Sequence, residues 1–427
     1  MSQRYKSISL SLAVAIVAAA GIHGGYSLFG RHKSGIAEST TTVGETTQDN
    51  AIGPMPQPLA PNEFRIGKNG RPLFITARVG GRSIRMLIDT GCARTVLDNS
   101  FRSSLGNTVG KVDQKTFAGM KKVDLFDAPE VDIAGVQIKL DHPISCQDMS
   151  ELRKYTGEEF YGIIGMDIMR KFVMQFDFDQ GILRWTDSVS TPLDEKNVPL
   201  RINYEKAGCP SVIAKCGSIE HLFIVDTGSS NTCVDESTYA QLVSNGELDA
   251  GLAYRAMSAT GSTDSRSGLL RTLEVGPFTH EDLLCDKDSM SVLGLGYLSR
   301  YIVTFDFPND TLYLCEGRRF SKVDSRGVSG LSPIRSQNGF LVNRVAPSGP
   351  AETAGIQVGD EIRNINGEST VDMDMFRMGE LLRSSPGQEL RIKVVRNEQE
   401  FDKVIIVNDR FAPFVATKPD AEESIYR

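Results

Sequence analysis

Apolar triplets that run straight into a polar turn are the clearest pattern in this chain. Met86-Leu87-Ile88 leads into Asp89-Thr90-Gly91, and Phe223-Ile224-Val225 leads into Asp226-Thr227-Gly228, 137 positions on (226 − 89). Short apolar runs bounded by turn residues predict buried strands. The flanks match as well: Cys92-Ala93-Arg94-Thr95-Val96-Leu97-Asp98 follows the first, and Ser229-Ser230-Asn231-Thr232-Cys233-Val234-Asp235 the second. Upstream at the same offset, Ile75-Thr76-Ala77-Arg78-Val79-Gly80 pairs with Val212-Ile213-Ala214-Lys215-Cys216-Gly217. Downstream, Ile163-Ile164-Gly165-Met166 pairs with Val292-Leu293-Gly294-Leu295, and Phe176-Asp177-Phe178 with Phe305-Asp306-Phe307. The offset there is 129 (294 − 165), so the second copy is eight residues shorter between its motifs. Two copies of one β-rich unit of about a hundred residues form an internal repeat.

After Cys315 the pattern changes. A polar linker is followed by Gly339-Phe340-Leu341-Val342 with Val345, by Ser348-Gly349-Pro350-Ala351-Glu352-Thr353-Ala354-Gly355-Ile356, by Val358-Gly359-Asp360-Glu361-Ile362 and by Ile365-Asn366-Gly367. Met375 to Leu382 predicts a helix, and Leu390-Arg391-Ile392-Lys393-Val394-Val395 an alternating strand.

Composition refines this. The 427 residues suggest about three domains, and 40 % hydrophobic with 24 % charged residues is a globular composition. A net charge of −7 argues against nucleic acid as a partner. Arg4 and Lys6 precede an apolar run from Ile8 to Ile22, so residues 1–33 are expected to be a signal peptide or an N-terminal membrane anchor. Either places the remainder in the cell envelope, periplasmic or held at the inner membrane. Residues 34–62, rich in Ser, Thr, Gly, Pro and Asn, read as a flexible tether.

The two turns carry chemistry. Glycine after Asp-Thr permits a tight turn that exposes a carboxylate at the end of a buried strand. Two such units facing each other bring Asp89 and Asp226 together. Adjacent carboxylates cannot both ionise, so they share one proton; one then activates water while the other protonates a peptide carbonyl. The rate should then follow a bell-shaped pH profile, with its optimum at acidic to mildly acidic pH.

The pairing of hydrophobic-Asp-Thr-Gly with a later apolar-apolar-Gly, in both halves, resembles the aspartic peptidases of retropepsin-like and pepsin-like type across about residues 63 to 320. The resemblance implies a mainly β, two-lobed acid-protease β-barrel fold, with lobe 1 at 63–190 and lobe 2 at 191–320. It implies catalysis by Asp89 and Asp226 and loop support from Thr90, Gly91, Cys92, Thr227, Gly228 and Ser229, with the threonines locking the two loops. It also places β-hairpin flaps over the cleft, at Thr116-Phe117-Ala118-Gly119-Met120 and Ser258-Ala259-Thr260-Gly261-Ser262-Thr263. Phe117, Gly119, Thr260 and Gly261 are the flap candidates. Cys92 departs from the usual Ser or Ala; Ser229 is expected to donate to Asp226, a thiol donates more weakly, and redox sensitivity is the sharper reading of Cys92. Of seven cysteines, Cys216, Cys233 and Cys315 align with Val79, Val96 and Thr186, which favours small core hydrophobes over disulfides. No CxxC or His/Cys cluster occurs, so neither a metal nor another cofactor is expected.

The C-terminal pattern resembles the PDZ domains of bacterial envelope proteases over about 327–409, an α+β unit, leaving 410–427 as a tail. By that resemblance Gly330, Leu331 and Ser332 form a carboxylate-binding loop, and the edge strand toward Ile334 accepts a peptide by strand addition. The reading is an aspartic endopeptidase acting on extended polypeptides, with a PDZ domain that selects a substrate or partner. An inactive peptide-binding receptor is the alternative, against which the intact aspartates, threonines and glycines stand. A chymotrypsin-like serine protease lacks its Gly-Asn-Ser-Gly-Gly loop here.

Overall fold

The structure, a computed structural model, describes residues 59–116, 119–186, 195–204, 208–258 and 261–412, with the dipeptide 20–21. The leader or anchor segment otherwise lies outside the described residues. The architecture is mainly β throughout.

Lobe 1 is built on a hairpin. Strands Phe74–Val79 and Arg82–Ile88 pair antiparallel with Phe74 opposite Leu87. Gly80 and Gly81 join them with φ of 54° and 79°, the double left-handed turn whose twist suits a two-residue hairpin. Side chains along the first strand alternate between core and solvent, as period-2 patterning demands. Strand Gly162–Ile164 then lies parallel to the end of Arg82–Ile88, with Ile163 beside Leu87 and Ile164 beside Ile88. Lobe 2 repeats the arrangement: Ser211–Cys216 pairs with Ile219–Val225, and Val292–Leu293 runs parallel to Ile224–Val225. Each lobe's pairings make a nine-stranded sheet, that of lobe 2 counting Ala20–Gly21. Among the described residues these sheets are open paths and draw no closed barrel.

A six-stranded sheet joins the lobes. Its central strands are Val173–Asp177 and Tyr301–Asp306, antiparallel, with Gln175 opposite Thr304. These residues are separated by the repeat offset itself, 129 (304 − 175), so each pairs with its own equivalent. A pseudo-two-fold axis therefore passes between them, and the Gln175 amide donates to Thr304 Oγ1 at 3.1 Å. Strand Glu63–Arg65 closes one edge of this sheet, and Val198–Arg201 the other. One hydrophobic core runs through both lobes.

The PDZ unit has a core of its own around Phe340, Ile362, Met378, Leu390 and Ile405. Its sheet runs Leu331–Ser336, Gly339–Val345, Glu361–Ile365, Glu389–Arg396 and Gln399–Ile406, so Leu331–Ser336 is an edge strand. Helix Met375–Leu382, N-capped by the Asp374 carboxylate, packs beside it.

Both lobes hold this unit. On lobe 2, the buried Arg300 guanidinium pairs with Asp324 at 2.7 Å, and Asp324 also accepts from Leu284 N–H. Leu252 N–H donates to Arg410 C=O, and Phe411 packs where Gly251 has no side chain. Arg410 and Phe411, assigned above to the tail, are thus part of the packed structure. On lobe 1, Arg71 pairs with Asp374 and lies over the Phe376 ring.

The position of Asp324 sets the point at which the PDZ unit can be removed. A chain ended after Ser325 keeps the pair. Asp324→Ala in that chain leaves the Arg300 guanidinium, whose side chain is 5 % exposed, with only the Phe320 and Lys322 carbonyls. Losing one member of a buried pair costs about 3–5 kcal/mol. The variant should melt below its parent, and equal values would show that the pair contributes nothing.

Candidate active site

Both Asp-Thr-Gly turns sit at the ends of core strands, and their backbones are tied to the neighbouring parallel strand. Asp89 N–H donates to Ile164 C=O at 3.2 Å, and Asp226 N–H to Leu293 C=O at 3.0 Å. The apolar-apolar-Gly motif therefore fixes the height at which each aspartate emerges. Its glycine is required sterically. A β-carbon at Gly165 would fall on the backbone of Arg94 and Cys92, and one at Gly294 on Asn231 and Ser229.

The threonines cross-link the loops as the resemblance implied. Thr90 N–H donates to Thr227 Oγ1 at 3.1 Å, and Thr227 N–H to Thr90 Oγ1 at 2.9 Å. Each hydroxyl then donates onward to the other lobe's strand: Thr90 Oγ1 to Val225 C=O at 2.6 Å, and Thr227 Oγ1 to Ile88 C=O at 3.0 Å. All four bonds are buried. They hold the two turns face to face, and a β-carbon at Gly91 would collide with the Asp226 carboxylate, one at Gly228 with that of Asp89.

Asp89 and Asp226 are fully buried. Gly91 N–H donates to Asp89 Oδ1 at 2.9 Å and Gly228 N–H to Asp226 Oδ1 at 2.7 Å, while neither Oδ2 has a partner among the described residues. Burial first, then the Asp226 charge, holds the Asp89 carboxyl well above the usual range. Burial also raises Asp226, to about 6, against the lowering effect of the Gly228 amide and the adjacent Asp89 carboxyl. The pair therefore favours one shared proton, and its two titrations belong to the pair and not to either residue.

Two expectations change. Ser229 does not donate to Asp226: its hydroxyl bonds to Asn231 C=O at 3.0 Å. The Cys92 thiol does the equivalent, donating to Arg94 C=O at 2.9 Å. Both side chains turn into their own loop and donate to the carbonyl two residues on. Cys92 is also wholly buried, and burial together with the Asp89 charge pushes its thiol well up. That keeps it protonated and opposes the redox reading, which needs an accessible thiolate.

The flap segments are hairpins. Thr108–Thr116 pairs with Gly119–Phe126, and Leu248–Ser258 with Gly261–Val275. Gly119 and Gly261 begin the returning strands, opposite Thr116 and Ser258, and so close the tips from the side. Phe117 and Thr260 lie outside the described residues. In the PDZ unit Gly330 adopts φ 77° beside Leu331, which starts the edge strand with Ser332. Cys92, Cys146, Cys209, Cys216, Cys233 and Cys285 are free and buried.

Sequence reasoning missed the residues behind the loops. The Cys209 thiol donates to Gly91 C=O at 3.1 Å. In lobe 1, Thr95 N–H and Oγ1 donate to Asp167, which also pairs with His142 at 3.2 Å. In lobe 2, Asn231 and Tyr254 donate to the buried Asp286 carboxylate, whose burial raises it above the usual range. The lobes solve the same support problem with different residues, so the repeat gave no signal for them.

Comparison with known proteins agrees with this geometry. Residues 75–168 and 212–296 match the aspartyl protease family model, one segment per lobe. The two lobes thus carry an aspartyl protease domain, one matched segment in each. Residues 341–396 match the PDZ domain model, so the chain carries a PDZ domain beside its protease lobes. Curated relatives match over single-domain lengths. The chain is 31 % identical over 93 residues to the serine endoprotease DegS of Salmonella typhimurium, covering 22 % of this chain and 25 % of that protein. It is 33 % identical over 81 residues to the 26S proteasome non-ATPase regulatory subunit 9 of Drosophila melanogaster, 18 % of this chain and 36 % of that one. It is 33 % identical over 92 residues to the regulator of sigma E protease of Haemophilus influenzae, 21 % and 20 %. The chain thus spans about a third or less of these relatives. The protease-family segments support a peptidase.

Proposed function

We propose that the protein is an aspartic endopeptidase in which Asp89 and Asp226 hydrolyse peptide bonds of extended polypeptides. The observation that carries this is the mutual approach of two buried carboxylates across glycines that leave no room for a side chain. In this reading the ionised member of the pair takes a proton from water, and the member that burial keeps protonated donates to the scissile carbonyl oxygen. The hydrogen-bonded threonines cost no reorganisation during the reaction because the loops are already fixed. The two hairpins would close over the bound chain and exclude water. The PDZ domain selects a substrate or partner, and the N-terminal apolar run exports the chain to the cell envelope. Among the described residues no helix is long and apolar enough to cross a membrane.

The pKa directions fix the sign of the pH dependence. Below about 6 the pair gains its second proton and the base is lost, so the rate should fall on the acid side. Above the higher titration of the pair both carboxylates ionise and the acid is lost. A bell is expected, its acid limb near 6, nearer neutrality than the sequence alone suggested. Cleavage of a denatured protein, followed across pH with sites read by mass spectrometry, tests this. A rate that climbs steadily into the alkaline range would point to another nucleophile. The chain ended after Ser325 separates selection from chemistry. It should cleave short unstructured peptides within a few-fold of the whole chain and lose most activity on a folded protein carrying the same site. Equal loss on both would mean the PDZ domain supports the protease fold instead.

A further inference from the structure

The PDZ groove faces inward. A cavity of about 820 Å³ lies between the PDZ unit and both lobes, and the Ser329-Gly330-Leu331 loop, Met378 and Leu382 line it. At the loop end stand two guanidinium groups, Arg383 and Arg410, close enough to repel each other. Neither is ion-paired among the described residues; Arg410 is 8 % exposed, and its Nε has no partner. The buried Arg410 and the half-buried Arg383, with the Asp286 and Glu380 carboxylates near but in no ion pair with them, stand beside a loop and an apolar pocket and suit the terminal carboxylate and last apolar side chain of a polypeptide.

The other end of the groove is stopped by lobe 1. Arg335 lies on the edge strand Leu331–Ser336, and Met375 opens the facing helix. Gly157, in the left-handed conformation that ends helix Ser150–Thr156, sits between them: its β-carbon position is 3.5 Å from Met375 Cβ and 3.7 Å from Arg335 Cβ. Arg71 clamps the same helix end through Asp374 and Phe376. From Leu331 to Arg335 the edge strand is about four residues long at roughly 3.3 Å each, and the dipeptide Ala20–Gly21 lies near it. A longer chain running along the edge meets the Gly157 turn.

We infer that lobe 1 caps the groove, so that a polypeptide C-terminus of more than about four ordered residues binds only by lifting the PDZ domain off Arg71 and Gly157. The lobe 2 contacts at Arg300 and Arg410 lie away from the groove's far end and serve as the pivot. The ligand is the free C-terminal segment of an unfolded or extended chain with an apolar last residue. This rests on the PDZ reading of the groove and not on the dyad, and binding is measured without catalysis.

The test uses the whole chain carrying Asp226→Asn and three fluorescein-labelled random peptide pools ending in Val, Leu or Phe. These are ten-residue free acids, the same peptides amidated, and four-residue free acids. Anisotropy should show the amides binding at least about tenfold more weakly than the acids. Arg71→Ala should tighten the ten-residue acids by about tenfold and leave the four-residue acids unchanged, the coupling expected if docking competes with length. Asp374→Asn, which keeps a helix-capping acceptor but removes the charge, should reproduce it. Hydrogen exchange of residues 150–157 should rise with the long acids and not with the short ones. Equal binding of amides would assign the groove to an internal segment or a second copy and overturn the inference. So would an unchanged length dependence in both variants, unaltered exchange at 150–157, or failure of every pool to bind.

Discussion

Asp89→Asn and Asp226→Asn should each lower peptide hydrolysis by about 10³-fold or more while leaving the fold intact, because a general acid or base contributes up to roughly 10⁴-fold and neither carboxylate works without its partner. The same variants should be more stable than the parent near neutral pH. Both carboxyls titrate in the fold above their unfolded values, so ionisation opposes folding. Their destabilising contribution is absent at low pH, appears as pH rises through the unfolded value, and is full above the folded ones. An amide of the same shape removes it, and a gain of about 1–3 kcal/mol is expected at pH 7, shrinking toward pH 4. Turnover and denaturant midpoints measured on both variants check the two halves together. Surviving turnover in either variant would sink the dyad mechanism. A loss of stability in both would mean that the carboxylates are structural acceptors.

The second large effect concerns the threonines. Thr90→Ala removes a hydroxyl that donates to Val225 C=O and accepts from Thr227 N–H, leaving two buried backbone groups unpaired. Each such group costs about 1–3 kcal/mol. Thr227→Ala does the same to Ile88 C=O and Thr90 N–H. The double alanine variant should lose several kcal/mol in a urea melt and about 10²-fold or more in turnover, since misplacement by an ångström can cost that much. Thr→Ser at both positions keeps every bond and should restore most of both. If serine fails to rescue, the methyl groups and not the hydroxyls hold the turns.

Much of this site was legible because it repeats. Asp89 with Asp226, Thr90 with Thr227 and Gly165 with Gly294 occupy matched positions, and a fold that superposes its halves must use such pairs in the same way. The Thr–Thr lattice and the parallel seat of the apolar-apolar-Gly strand follow from that matching. What was not legible lies where the halves differ. Ser229 turns into its own loop, a local choice between two acceptors that the residue type does not decide. Cys209 reaches Gly91 from across 118 residues, with no counterpart to flag it. Arg410 looked like tail because nothing in a polar C-terminal run announces a backbone bond to Leu252. The inward turn of the PDZ groove depends on Arg71, Asp374 and Gly157, each unremarkable alone.

The self-pairing of Gln175 with Thr304 has one more consequence. It gives a single chain the isologous interface of a symmetric dimer. In a dimer of identical halves every substitution appears twice, and the two carboxyls of the pair are interchangeable. A fused chain is free of that constraint. Here Cys92 holds the place that Ser229 holds in the other lobe, and the Cys209 thiol donates to the Gly91 turn. Each change makes the surroundings of the two carboxyls unequal. Joining the halves thus allows division of labour: one member can specialise as acid and the other as base.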